Sequence, residues 1–205
     1  MKFRVLCLIS FFLSAAYCSY AQDYVPPPVV FHPNQQVRIR DFSPHTAHSS
    51  AAAAVLAAAL ETVFHNEQLC CRKNSALEDR VLASVSLSLR DLGGKLQGRW
   101  TLSSGRPIML ASEYLSPASI GPEQFIAPLM HNQPYLMQWN SRLFVVYGVV
   151  FDESIYSSGQ RNYVIQKLLL FDPQHSAANN EITFDRQHDD WKTVQGLLLL
   201  KAAPQ

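Results

Sequence analysis

The chain has 205 residues, 48% of them hydrophobic and 16% charged, with 17 Lys and Arg against 16 Asp and Glu. That length fits one domain with a sizeable core. The even charge balance excludes the basic patch or stripe of a nucleic-acid binder, and no polybasic run marks a membrane surface.

The first element is a secretory signal. Lys2 and Arg4 form a basic n-region, "VLCLISFFLSAAYC" is an apolar h-region, and Ser19-Tyr20-Ala21 is a small-x-small site. Cleavage is expected after Ala21, which makes residues 1–21 the signal and places the mature chain in a bacterial periplasm or outside the cell. Cys18 would be the acylated residue of a lipoprotein, but Tyr17 is bulky where a small residue is wanted. After cleavage 15 basic residues face 16 acidic ones, a net charge of −1 with His neutral. The later apolar runs are shorter than the roughly 20 residues of a membrane span. Cys7 and Cys18 leave with the signal, so Cys70 and Cys71, side by side, are the cysteines that remain. They can form a strained ring disulfide, bond a partner chain or stay reduced, but they cannot staple distant parts of a monomer.

Residues 22–44 are proline-rich and predict an extended lead-in, with "VRIR" a short strand. Residues 45–205 then form one domain. "SSAAAAVLAAALETVF" predicts a helix capped by Ser49 or Ser50. A second helix is expected within 74–94, with Ser75 and Glu78 as a capping box and Gly93-Gly94 as its end. "RPIMLA" predicts a strand. "IGPEQFIAPLMHN" predicts a short helix, with Pro122 in its first turn and Phe125, Ile126 and Leu129 on one face. Four apolar runs follow, "PYLMQW", "RLFVVYGVVF", "NYVIQKLLLF" and "TVQGLLLLKA", with a hairpin loop around Gly159. Helices first and an antiparallel sheet after make an α+β pattern rather than alternating βαβ units.

From residue 43 to 173 this layout resembles the papain-like cysteine peptidases, especially their bacteriocin-processing and bacterial effector branches. "NQPYLMQW" sits where that family has its residue-proline strand, "RLFVVYGV" on the strand that carries the base, and "LLLFDP" on the strand that ends in Asp-Pro. The resemblance implies a papain-like fold, in which the Ala-rich helix and the second helix pack against the C-terminal antiparallel sheet. It places Ser49 where the nucleophilic cysteine would be, Ser43 near the oxyanion glutamine with Gln35 and Gln36 further off, Arg142 where the base histidine would be, and Asp172 where the orienting acid would be. Asp172 alone keeps the family's residue. An arginine stays protonated and accepts no proton, and a serine needs a base more than a thiol does. An ion pair of Arg142 with Asp172 is therefore expected in place of a base and its orienter.

Each of these residues also has an ordinary reading. Arg142 can be a strand-edge charge, Ser49 and Ser50 helix caps, and "DP" a turn. His48 could act as a base for Ser49, but chain neighbours at a helix start rarely face each other. Cys70 and Cys71 are candidate reactive thiols, with Arg72 and Lys73 near enough in sequence to lower a thiol pKa. His45 and His48 share a helical spacing, yet a zinc site needs more ligands. His131, His175 and His188 are scattered, so no metal or cofactor is expected.

The leading expectation is a secreted pseudopeptidase that binds a peptide or protein ligand in the remnant cleft. The alternatives are an active cysteine hydrolase or thiol enzyme using Cys70 or Cys71, and a structural envelope-associated domain. No nucleic-acid partner is expected, and no membrane association after signal cleavage.

Overall fold

The computed structural model describes residues 27–40, 42, 50–66, 88–102, 105–173, 181–184 and 190–204. Residues 1–21, Ser49, Cys70, Cys71, Ser75 and Glu78 lie outside them. In chain order the elements are β1 (Val30–Arg38), α1 (Ala51–Asn66), α2 (Leu89–Leu96), β2 (Gly98–Thr101), β3 (Pro107–Leu115), α3 (Pro122–Met130), β4 (Tyr135–Trp139), β5 (Arg142–Ile155), β6 (Arg161–Phe171), β7 (Glu181–Thr183) and β8 (Gly196–Pro204). Short 3-10 turns at Pro117–Ser119 and Asp190–Thr193 precede α3 and β8. The strands form one sheet in the order β2-β3-β8-β4-β5-β6-β7, and β1 pairs with the second half of β5. Every pairing is antiparallel. The expected α+β class with an antiparallel sheet is what the chain forms.

Helices cover both faces of the sheet. On one face, Val55, Leu56, Leu60 and Val63 of α1 and Leu89, Leu92 and Leu96 of α2 pack on Leu136, Val145, Phe171 and Leu198. On the other, Phe125, Ile126 and Leu129 of α3 pack on Met137, Phe144, Val146 and Leu197. Consecutive residues of β4, β5 and β8 thus enter opposite cores. This is why those strands read as unbroken apolar runs rather than as alternating ones. Alanine at positions 53, 54, 58 and 59 is fully buried in α1, so the helix backbone lies close to its neighbours. Ser50 Oγ accepts from the Ala53 N–H at 3.2 Å, which makes Ser50 the cap that starts the helix.

Two expectations need correction. Gly93-Gly94 does not end a helix: α2 runs through both to Leu96, with Gln97 as its C-cap and Ser88 as its N-cap. Gly93 serves close approach instead. A Cβ there would stand 2.8 Å from Leu198 Cδ1, and the Gly93 carbonyl accepts a hydrogen bond from Ser112 Oγ at 2.9 Å. The proline-rich lead-in also carries more than a short "VRIR" strand, since β1 spans nine residues. Pro33 is tolerated because the register with β5 shifts between His32 and Gln35, and Asn34 there takes φ 53°. Asp152, 5% exposed, holds that bulge. Its carboxylate accepts from the Asn34 N–H at 2.8 Å and from the Gln166 amide.

The hairpin between β5 and β6 is tighter than its polar sequence suggests. The strands continue to Ile155 and resume at Arg161. Gly159, with φ 82°, donates to the Tyr156 carbonyl at 2.9 Å and closes the turn.

Candidate functional site

Arg142 opens β5 and Asp172 follows the last residue of β6. The pairing of Val145 with Phe171 and of Val146 with Leu170 brings those strand ends together. Their side chains form an ion pair, Arg142 Nη2 to Asp172 Oδ2. The carboxylate side chain is 9% exposed and the guanidinium 41%, so the acid is the buried partner and the arginine reaches solvent. The Arg142 guanidinium carbon stands 5.2 Å from the centre of the Phe144 ring, in cation–π range. Trp139 pairs with Arg142 across β4 and β5, and its ring tilts against Phe144 at 6.4 Å. The Trp139 indole N–H donates to Thr193 Oγ1 at 2.9 Å, which ties this corner to the turn before β8.

The side of the sheet matters for chemistry. Strand alternation puts Arg142 with Phe144 and Val146, on the face that α3 covers, while α1 packs on Val145 and Phe171 from the other face. The pair and the buried side of α1 therefore occupy opposite faces. Of the expected trio, the structure joins Arg142 to Asp172, and Ser49 lies outside the described residues. Ser43, His45, His48, His175 and His188 also lie outside them. Gln35 and Gln36 stand on β1 beside Phe151 and Val150 of β5, remote from Arg142.

A guanidinium can bind an anion, a carbonyl oxygen or an aromatic ring. It cannot take a proton at neutral pH. Among the described residues no three His, Cys, Asp or Glu side chains come close enough to hold a metal ion, and no helix is long and apolar enough to cross a membrane.

A separate pocket of about 510 Å³ lies between β1 and the end of α3, with Arg38, Arg40 and His131 in its lining. The sequence carried a sign of it. "VRIR" alternates arginine with apolar residues, and Ile39 is buried at 2% exposure while Arg38 and Arg40 are exposed. Their meeting with His131, some ninety residues on, is a tertiary fact. Comparison with known proteins finds no family model and no curated protein that matches the chain.

Proposed function

We propose that this chain is a secreted, non-catalytic binding protein of papain-like ancestry, which holds a peptide or protein around the Arg142–Asp172 corner. The observation that carries the proposal is the ion pair itself. Where a peptidase needs a base and its orienter, this chain has a permanent cation neutralised by a buried acid. The placing of Arg142 and Asp172 at adjacent strand ends supports the ancestry, whereas the element order does not follow a helices-first plan, since β1 precedes the helices and α3 falls between β3 and β4. The pair lies on the opposite face from α1, so a histidine at position 142 would not meet the start of that helix, and the binding reading rests on the ion pair rather than on a retained peptidase cleft. Phe144, 4% exposed, backs the guanidinium from the core, and the partly exposed Trp139 stands opposite Arg142 on β4 as the aromatic group a ligand could meet.

Dye-quenched peptide libraries and an immobilised peptide array test this together. The mature chain is expected to cleave none of the library. It should retain a subset of array peptides, and Arg142→Ala should release them. Turnover by the wild-type chain, or array binding indifferent to Arg142→Ala, would overturn the reading. Ser49→Cys with Arg142→His is expected to remain inactive.

A further inference from the structure

We propose that the groove between β1 and the end of α3 binds an extended acidic segment of a partner protein, which adds to β1 as a further strand. Among the described residues β1 pairs along one edge only, with β5, and every residue of it except Val37 is exposed. An unpaired edge offers backbone N–H and C=O groups to an incoming strand. Beside it runs the 510 Å³ pocket, with Val37 and Leu129 as its apolar part, Arg38 and Arg40 as its cationic part and His131 beside them. Met130, 68% exposed, completes the lining. The volume lies in the range of ordinary ligand sites.

Charge selects the occupant. Among the described residues neither Arg38 nor Arg40 has a carboxylate within the 4.0 Å of an ion pair. The sequence of β1, "VFHPNQQVR", holds no acid, so a second copy pairing on β1 would set like charges near each other. An acidic strand would instead place carboxylates beside both guanidiniums. The walls are already ordered. The Arg40 N–H donates to Asn132 Oδ1 at 2.9 Å, the Ile39 N–H donates to the Tyr147 carbonyl at 2.8 Å, and the Arg38 guanidinium lies 5.3 Å from the centre of the Tyr147 ring. Binding would therefore order the ligand more than the protein.

This surface is independent of the Arg142–Asp172 corner. Arg38 pairs with Gly148, six residues along β5 from Arg142, or about 20 Å at ~3.3 Å per residue.

The test uses the full mature chain and a fluorescein-labelled decapeptide alternating glutamate with valine and threonine. Anisotropy should show binding that weakens with salt. Arg38→Glu with Arg40→Glu, both on the surface, should weaken it at least tenfold, and Arg142→Ala should leave it unchanged. The same peptide with proline in place of its valine and threonine residues keeps its charges but cannot extend a ladder, and it should not bind. No binding by the wild-type chain, equal binding by the double variant, or equal binding of the proline peptide would overturn the proposal. So would a dimer, seen by sedimentation, that the acidic peptide fails to dissociate, because the occupant would then be a second copy. Loss of binding in Arg142→Ala would assign the peptide to the other corner instead.

Discussion

At the scale of single residues, the Arg142–Asp172 pair is asymmetric, and that sets the consequences of cutting it. Asp172 is the buried member, so removing the arginine leaves a carboxylate with little water and one fewer donor. Removing the acid leaves a guanidinium that solvent already reaches. Exposed pairs contribute little and buried groups left unmatched cost more. Arg142→Ala is therefore expected to destabilise the fold by about 1–2 kcal/mol, and Asp172→Asn, which keeps an acceptor oxygen, by under ~1 kcal/mol. Urea midpoints at unchanged slope would measure both, and a larger cost for Asp172→Asn would contradict the asymmetry. The resemblance stated from the sequence implied that these two residues meet, and the register of β5 with β6 joins them. The face they share was not legible, because β4, β5 and β8 are apolar on both sides and show no alternation from which to read it.

At the scale of elements, α2 holds two adjacent glycines that look equivalent in sequence and differ in space. A Cβ at Gly94 would meet nothing within 4 Å, whereas at Gly93 it would press on Leu198 Cδ1 at 2.8 Å and Ser112 Oγ at 3.3 Å. Gly94→Ala should stabilise by about 0.5–1 kcal/mol through helix propensity. Gly93→Ala should give back that gain and more, for a net loss of about 1 kcal/mol from overpacking. Thermal midpoints moving in opposite directions would confirm the distinction. The reading of Gly93-Gly94 as a helix stop failed for this reason: glycine answers to close packing as well as to chain reversal, and only the partner residue tells which. The outer strand shows a different dependence. Glu153 of β5 is hydrogen-bonded to His32 of β1 at 3.0 Å and to Arg161 of β6 at 2.7 Å. The bond to His32 is the largest influence holding its carboxyl below the ordinary value of 4.5; burial pushes it up next, and the bond to Arg161 and the charges of Arg161 and His32 lower it further. A lowered acid contributes stability above its unfolded pKa and loses it as pH falls through the folded one. Amide exchange in the first half of β1, corrected for intrinsic rates, should therefore quicken as pH drops below 4.5, and His32→Ala should remove most of that pH dependence. An unchanged profile would mean that the bulge held by Asp152, not the Glu153 contacts, fastens the strand.

At the scale of the whole molecule, the class and most of the strands followed from composition and punctuation: alanine in α1, glycine at the hairpin, proline at the start of α3. The strand order did not. β8, the last strand in the chain, lies between β3 and β4, and its residues Leu197 and Leu198 enter the cores on opposite faces. Apolar runs in a sequence say that strands will be central without saying which neighbours they take. The pocket beside β1 was hidden for a related reason, since its lining residues come from segments some ninety residues apart. The position of β8 also has a consequence in time. Until β8 is in place, β3 and β4 lack their common neighbour, and each core lacks the leucines that β8 supplies.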